Sequence, residues 1–195
     1  PKLKRRVGGY NLDTIDPQGH NMAKLLVGSE GTLATFKNIE LYLQQIPQHK
    51  VMGVCHFPTF YAAMDAAQHL VKLDPVAVEL IDRTMIELAR NIPIFKSTID
   101  SFVKGEPDAV LLVEFSGDDL GSLKGKLQEL DTMMSDLGYS KAIIEAIDPV
   151  FQSKITEVRQ QGLNIMMSMK TSGKPVSFIE DCAVPLENLA EYTHR

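Results

Sequence analysis

Strand-like and helix-like segments alternate along the middle of this chain in an order that few folds share. Apolar runs typical of buried strands lie at residues 51–57, 76–81, 109–117 and 141–147. Residues 59–73 carry apolar side chains at helical spacing between the first two runs, and residues 118–138 form a helical segment between the last two. The order β-α-β-β-α-β predicts an α+β, ferredoxin-like fold, in which helices cover one face of an antiparallel sheet.

Additional helices are predicted outside this core pattern. Residues 83–91 and 95–105 favour helices inserted between the two halves, and residues 149–163 favour a helix that begins with a proline. A strand is predicted at residues 176–185, and a last helix begins after it.

The first quarter of the chain has a different character. Residues 1–24 are polar and rich in turn-forming residues, and two strands are predicted at 25–27 and 33–43. Pro47 and its polar neighbours mark a boundary. We therefore predict one domain at residues 1–48 and a second at 49–195.

The run GSEGTLATF, at residues 28–36, has two interpretations from its residues alone. Gly28 and Gly31 can supply the positive φ angles of a hairpin turn. The same glycines would let backbone N–H groups approach a phosphate or a flat ring, with hydroxyl donors from Ser29 and Thr32. The spacing is not that of the dinucleotide fingerprint GxGxxG, so a Rossmann fold is not predicted.

Charge and residue usage exclude several classes of function. The net charge of −5 indicates no nucleic-acid-binding surface, and no apolar run approaches the length of about 20 residues that spans a bilayer. The histidines lack metal-ligand spacing, so no metal site is predicted. Cys55 and Cys182 are compatible with two thiols or one long-range disulfide. We expect reduced thiols and a cytoplasmic protein, or one peripheral to the inner membrane.

Arg159 lies near the C-terminal end of the predicted helix at 149–163, on its polar face. A cation there is stabilised by the helix dipole by about 0.3–1 kcal/mol. A guanidinium is also the natural bidentate partner of a carboxylate. The residues alone leave both interpretations open.

Several segments resemble the FAD-linked oxidase family, the vanillyl-alcohol-oxidase-like flavoproteins that include D-lactate and D-2-hydroxyglutarate dehydrogenases and glycolate oxidase flavin subunits. The end of their flavin-binding domain resembles RRVGGYNLD at 5–13 and LLVGSEGTLATFKNIELYL at 25–43. Their cap, or substrate-binding, domain resembles, in order, FPTFYAAMDAA, AVELIDRT, LLVEFSG, EVRQQGL and FIEDCAVPLENL.

The resemblance implies an FAD-dependent oxidoreductase that transfers hydride to FAD from a D-2-hydroxy acid such as lactate, glycolate or 2-hydroxyglutarate. Residues 1–48 would be a short β remnant of the FAD-binding domain, and 49–195 a cap domain truncated at its C-terminus. Arg159 matches the cap arginine directed at the substrate carboxylate, although Thr156 stands where the family often has tryptophan. The cofactor-binding residues would be Gly9, Tyr10, Gly28, Ser29, Glu30, Gly31 and Thr32.

The resemblance also implies that this chain is a piece of a longer enzyme. We expect the piece alone to bind no FAD and to be inactive, with the general base beyond Arg195 and no catalytic residue identified within the chain. Any iron–sulfur cluster, as in the large bacterial members, would also lie outside it. The electron acceptor is not indicated, and exposed apolar edges near 25–36 could support a homodimer. The alternative is a non-catalytic ferredoxin-like binding or interaction module.

Overall fold

A computed structural model of the protein describes residues 9–15, 18, 21–167 and 182–195. The chain divides into two compact units, Pro1–Gln45 and Ile46–Arg195. The described residues of the first unit form a 3-10 helix at Leu12–Thr14 and a short helix α1 at Ala23–Leu26, with a turn after it.

The strands predicted at residues 25–27 and 33–43 are wrong. The first overlaps α1, and residues 33–43 have no regular structure and are mostly exposed. A strand needs a neighbouring strand to accept and donate its backbone hydrogen bonds. The described residues of the first unit offer no such neighbour, so the predicted β remnant and hairpin are not found among them.

The second unit contains the predicted alternation of strands and helices. Its described elements are, in chain order, β1 (His49–Phe57), α2 (Phe60–Leu70), β2 (Ala77–Asp82), α3 (Arg83–Arg90), α4 (Pro93–Phe102), β3 (Ala109–Gly117), α5 (Leu120–Asp136), β4 (Ile143–Ala146), α6 (Pro149–Gln160), α7 (Gly162–Met167) and α8 (Leu186–His194).

The four strands form one sheet in the order β2-β3-β1-β4, and every neighbouring pair is antiparallel. Val54 in β1 pairs with Leu112 in β3 on one side and with Ile144 in β4 on the other. The sequence-based element order β-α-β-β-α-β is therefore confirmed within an α+β fold. The interior of the sheet is made by β1 and β3.

Helices cover both faces of the sheet, so the prediction that they lie on one face is wrong. Buried side chains of α2, α5 and α8 pack on one face with Val51 and Cys55. Those of α3, α4, α6 and α7 pack on the other face with Met52 and Val54. Successive side chains of a strand point to opposite faces, and residues 51–55 are all buried. Both faces of β1 are therefore withdrawn from water.

Side-chain caps fix where the helices begin. Asp148 accepts a hydrogen bond of 2.7 Å from the backbone N–H of Phe151, and Pro149 occupies the first turn of α6, where a missing N–H costs nothing. Asp82 caps α3 in the same way by accepting from Met85 at 2.8 Å. These caps set the starting points of two helices on the second face of the sheet.

Two further predictions concern cysteines and membranes. Cys55 is buried, Cys182 is exposed, and no disulfide joins them. None of the helices in the described ranges is both long and apolar enough to cross a bilayer. The strand predicted at 176–185 lies largely outside the described residues, and residues 182–185 have no regular structure.

Candidate functional site

Helix α6 carries Arg159 across the second face of the sheet. Ile155 and Val158 of this helix are buried in the core of that face. Arg159 follows Val158 directly, so its side chain leaves α6 at the border between the buried and the exposed side of the helix. Its side chain is 45% exposed. The sequence placed this residue near the C-terminal end of a helix, and the structure agrees.

A small cavity of about 160 Å³ lies between α6 and the strands β1, β2 and β3. Its apolar wall is formed by Met52, Ala77 and Leu112, and its polar wall by Glu79, Glu114, Thr156 and Arg159. The polar side chains come from three elements that are far apart in the sequence. The register explains this, because Glu114 pairs laterally with Met52 in β1 and with Ala77 in β2.

Arg159 is held in an ion pair with Glu79, through Nε and Oε2. The Glu79 side chain is 34% exposed, so the pair is partly solvated and contributes at most about 1 kcal/mol to stability. Among the described residues, Nη1 and Nη2 of Arg159 have no hydrogen-bond partner. The ion pair is made through Nε, so Nη1 and Nη2 can still donate to a carboxylate in bidentate fashion.

A second ion pair lies at the same cavity. Lys50 Nζ in β1 is 2.9 Å from Glu114 Oε1 in β3. The Lys50 side chain is 44% exposed and that of Glu114 only 20%. Each glutamate of the cavity is thus paired with one cation.

A larger groove of about 990 Å³ adjoins the cavity at Thr156, which lines both. The groove runs along the start of β1 and the whole length of α6, with Lys50, Ser153 and Gln160 among its polar residues. The cavity and the groove therefore lie side by side along α6.

His56 lies at the other end of β1 and is engaged by the backbone. Its Nδ1 is 2.9 Å from the carbonyl oxygen of Ala142, and its Nε2 is 3.1 Å from both the carbonyl oxygen of Phe102 and the backbone nitrogen of Lys104. Burial is the main cause that lowers the pKa of this imidazole, and the charge of Lys104 lowers it further. His56 is therefore a partly buried histidine whose two ring nitrogens are both engaged by the backbone.

The glycine-rich run in the first unit forms a tight turn. Gly28, Glu30 and Gly31 have φ angles of 81°, 51° and 75°, all in the left-handed region. The Thr32 hydroxyl donates to the carbonyl oxygen of Ser29 at 2.6 Å. The hydroxyl oxygen of Tyr10 lies 2.9 Å from the hydroxyl oxygen of Thr32. Tyr10 and the turn at residues 28–32, both among the predicted cofactor-binding residues, are therefore neighbours.

Ser29 is the unusual member of this turn. It is only 2% exposed, and its Oγ has no hydrogen-bond partner among the described residues. A buried hydroxyl without a partner costs about 1–3 kcal/mol, so such atoms are rare in folded proteins. The backbone N–H groups of Gly28, Glu30 and Gly31 also donate to no backbone carbonyl within the described ranges. Several donors of this turn therefore have no protein partner among the described residues.

Three functional candidates escaped the sequence-based reasoning: Lys50, Glu79 and Glu114. Glu79 and Glu114 interrupt otherwise apolar strands, and that interruption was the available signal. No group of three or more His, Cys, Asp or Glu side chains with metal-binding geometry occurs in the part of the chain that the structure describes.

Comparison with known proteins places the sequence of this chain in a family. Residues 46–195 match the family of FAD linked oxidases, C-terminal domain. The chain is 30% identical over 208 residues to a D-2-hydroxyglutarate dehydrogenase of Pantoea ananatis, an alignment that covers 98% of this chain and 20% of that protein. It is 28% identical over 207 residues to a D-2-hydroxyglutarate dehydrogenase of Haemophilus influenzae, with 98% and 20% covered.

A mitochondrial D-lactate dehydrogenase [cytochrome] of Arabidopsis thaliana is 30% identical over 179 residues, covering 91% of this chain and 30% of that protein. The chain thus spans 20% to 30% of the length of these curated relatives. The family match extends over most of the chain and includes every residue of the Arg159 cavity. The chain belongs to the FAD-linked oxidase family, whose C-terminal domain it contains.

Proposed function

We propose that this chain is the substrate-binding part of a flavoenzyme that oxidises a D-2-hydroxy acid such as lactate, glycolate or 2-hydroxyglutarate. In this proposal, residues 49–195 are the cap domain, built on a ferredoxin-like sheet, and residues 1–48 are the end of the FAD-binding domain. The family match and the names of the relatives support the class of reaction.

The observation that carries the proposal is the outer edge of the Arg159 guanidinium beside the 160 Å³ cavity. Two parallel N–H donors match the geometry of a carboxylate. The cavity volume corresponds to about five water molecules at roughly 30 Å³ each, which is the scale of a short hydroxy acid. Arg159 would hold the acid group, and Met52 and Leu112 would exclude water from its carbon chain.

The glycine turn fits the flavin nucleotide that the family implies. Its buried, unpartnered Ser29 Oγ and the N–H groups of Gly28 and Gly31 are donors of the kind that bind phosphate and ring oxygens. A side chain added at Gly31 would meet no atom within 4 Å, so the backbone there can be approached closely. Tyr10 and Thr32 would complete this surface. FAD, when bound, supplies the oxidising ring for the hydroxy acid.

The described residues of the Arg159 cavity bind and orient rather than transfer protons. Its ionisable side chains are Glu79, Glu114 and Arg159, and each is engaged in an ion pair. Thr156 contributes a hydroxyl that can hydrogen-bond the substrate. Because the chain spans about a fifth of its D-2-hydroxyglutarate dehydrogenase relatives, we do not expect these 195 residues alone to turn over substrate.

The test is steady-state kinetics of the gene product that contains these residues, loaded with FAD. Arg159→Met should lower kcat/KM for the preferred D-2-hydroxy acid at least about tenfold, because a charge-assisted pair contributes about 1.5–3 kcal/mol. The exposed Lys154 on the same helix provides the matched control, and Lys154→Met should leave kcat/KM within about twofold.

An unchanged kcat/KM in Arg159→Met would remove the carboxylate-binding role. Failure of the whole gene product to retain FAD or to oxidise any of these acids would instead favour the non-catalytic binding module.

A further inference from the structure

We propose that Glu114 is a specificity-determining residue, whose charge disfavours a second carboxylate on the acid that Arg159 holds. This inference rests on the proposed function, because it takes Arg159 as the partner of the first carboxylate. It concerns the difference between monocarboxylic and dicarboxylic 2-hydroxy acids.

Glu114 is well placed to act on the ligand. It lines the cavity with Arg159, and its side chain is only 20% exposed, less than that of Glu79 at 34%. A partly buried charge is screened less by water and salt than a surface charge. If Arg159 holds one carboxylate of the ligand, a second carboxylate in the cavity is therefore repelled by the negative charge of Glu114.

Lys50 is the cation that could compensate a second carboxylate. It lines the groove that adjoins the cavity at Thr156, so the far end of a longer acid would extend toward it. However, its Nζ is paired with Glu114 at 2.9 Å. The negative charge of Glu79 likewise neutralises that of Arg159. The two ion pairs at the cavity therefore contain two positive and two negative side chains. That balance favours a monoanion over a dianion.

Removal of the Glu114 charge should therefore affect the two classes of acid differently. Glu114→Gln keeps the shape of the side chain, removes its repulsion and leaves the Lys50 charge unpaired. Glu79→Gln is the matched control, because Glu79 lines the same cavity and carries the same charge but is paired with Arg159. It should change the affinity for both acids in similar proportion.

The experiment titrates the 195-residue chain and its variants with D-lactate and with D-2-hydroxyglutarate, at constant ionic strength, and follows amide chemical shifts by NMR. Glu114→Gln should raise the affinity for D-2-hydroxyglutarate relative to D-lactate by about fivefold, the effect of one unit charge several ångströms away in a largely aqueous dielectric. Lys50→Met should shift the same ratio in the opposite direction, which provides a second reading if Glu114→Gln does not fold.

The outcomes separate this inference from the function on which it rests. If binding of both acids is lost in Arg159→Met but the ratio is the same in wild type, Glu114→Gln and Lys50→Met, the inference is wrong and the carboxylate-binding role stands. An equal change of the ratio in Glu79→Gln also overturns it. If Arg159→Met does not weaken the binding of either acid, the proposed function and this inference fail together.

Discussion

Gln152 donates a 2.9 Å hydrogen bond from Nε2 to the carbonyl oxygen of Lys50, 102 positions earlier in the sequence. The same nitrogen lies 3.0 Å from the carbonyl oxygens of Ala146 and Ile147. Three carbonyl acceptors around one atom require that atom to be the amide nitrogen. Gln152 is only 5% exposed, so this amide joins α6 to the start of β1 and the end of β4 inside the protein.

Gln152→Glu should lower the free energy of unfolding by about 3 kcal/mol at neutral pH, because it places a carboxylate against three carbonyl oxygens. Urea denaturation of the 195-residue chain measures the change. Ser153→Ala, at the exposed next position, should stay within about 0.5 kcal/mol of wild type. Equal stability of Gln152→Glu and wild type would show that the amide does not fasten α6.

Two glycine-to-alanine substitutions should have opposite effects on stability. A Cβ at Gly53 in β1 would collide with Cδ2 of Leu130, a fully buried residue of α5 that has little room to move. Gly53→Ala should therefore destabilise the chain by about 1–3 kcal/mol. Thermal or urea unfolding provides the measurement.

Gly125 is the matched position for this comparison. It lies within α5, and a Cβ there would meet no atom within 4 Å. Gly125→Ala should stabilise the chain by about 0.5–1 kcal/mol, since alanine loses less backbone entropy in a helix. A Gly53→Ala variant as stable as wild type would contradict the packing of β1 on α5, whatever the effect of Gly125→Ala.

The partners of His56 predict a pH dependence of stability. The neutral ring donates from Nδ1 to Ala142 and accepts at Nε2 from the N–H of Lys104, a contact that protonation of Nε2 removes. The pKa of His56 in the folded chain is lowered, chiefly by burial. The unfolded chain, with a histidine pKa of about 6.5, therefore binds the proton first as the pH falls.

Stability should thus be lost as the pH falls below about 6.5, with a slope of at most about 1.4 kcal/mol per pH unit from this residue. In His56→Gln, the unfolding free energy should fall less steeply between about pH 7 and pH 5.5. Urea denaturation at a series of pH values gives both slopes. Parallel curves for the two proteins would refute the assignment.

The unpartnered hydroxyl of Ser29 predicts a separation of stability from cofactor binding. Ser29→Ala should leave the unfolding free energy unchanged or slightly higher, because it deletes a buried polar atom that has no partner among the described residues. In the gene product that contains this chain, FAD affinity should fall about fivefold to tenfold, which corresponds to one lost hydrogen bond. Thr35→Ala, at an exposed position nearby, should leave FAD affinity unchanged. An unaltered flavin dissociation constant in Ser29→Ala would count against the hydroxyl as a ligand.

The order of elements in the second unit was predictable because each segment carries its own periodicity. The sequence also contained the signal that both faces of the sheet are buried, although we predicted helices on one face only. The runs VMGVCHF and AVLLVEF are almost continuously apolar, which is typical of strands covered on two sides. The strands expected at 25–27 and 33–43 failed for another reason. Their composition favours an extended backbone, but a strand also needs a neighbouring strand for its backbone hydrogen bonds, and that neighbour is not encoded in the local sequence.

The candidate site was predictable only in part. Arg159 could be identified because its helix and its family resemblance are local features of the sequence. The sequence could not predict that Glu79, Glu114 and Lys50 lie near Arg159, because their proximity depends on the lateral register of three strands. A shift of one strand by one residue would turn its glutamate to the opposite face. Such long-range alignment leaves no trace in a local pattern.

The central place of β1 has a consequence for how the second unit forms. This strand ends at Phe57, yet its two neighbours do not begin until Ala109 and Ile143. During synthesis, this largely buried strand must therefore leave the ribosome long before either flanking strand exists. Closure of such distant pairs is slow, and an unpaired apolar strand is prone to aggregation. Slower translation through residues 58–142 therefore lengthens the time for which this strand is exposed without a partner.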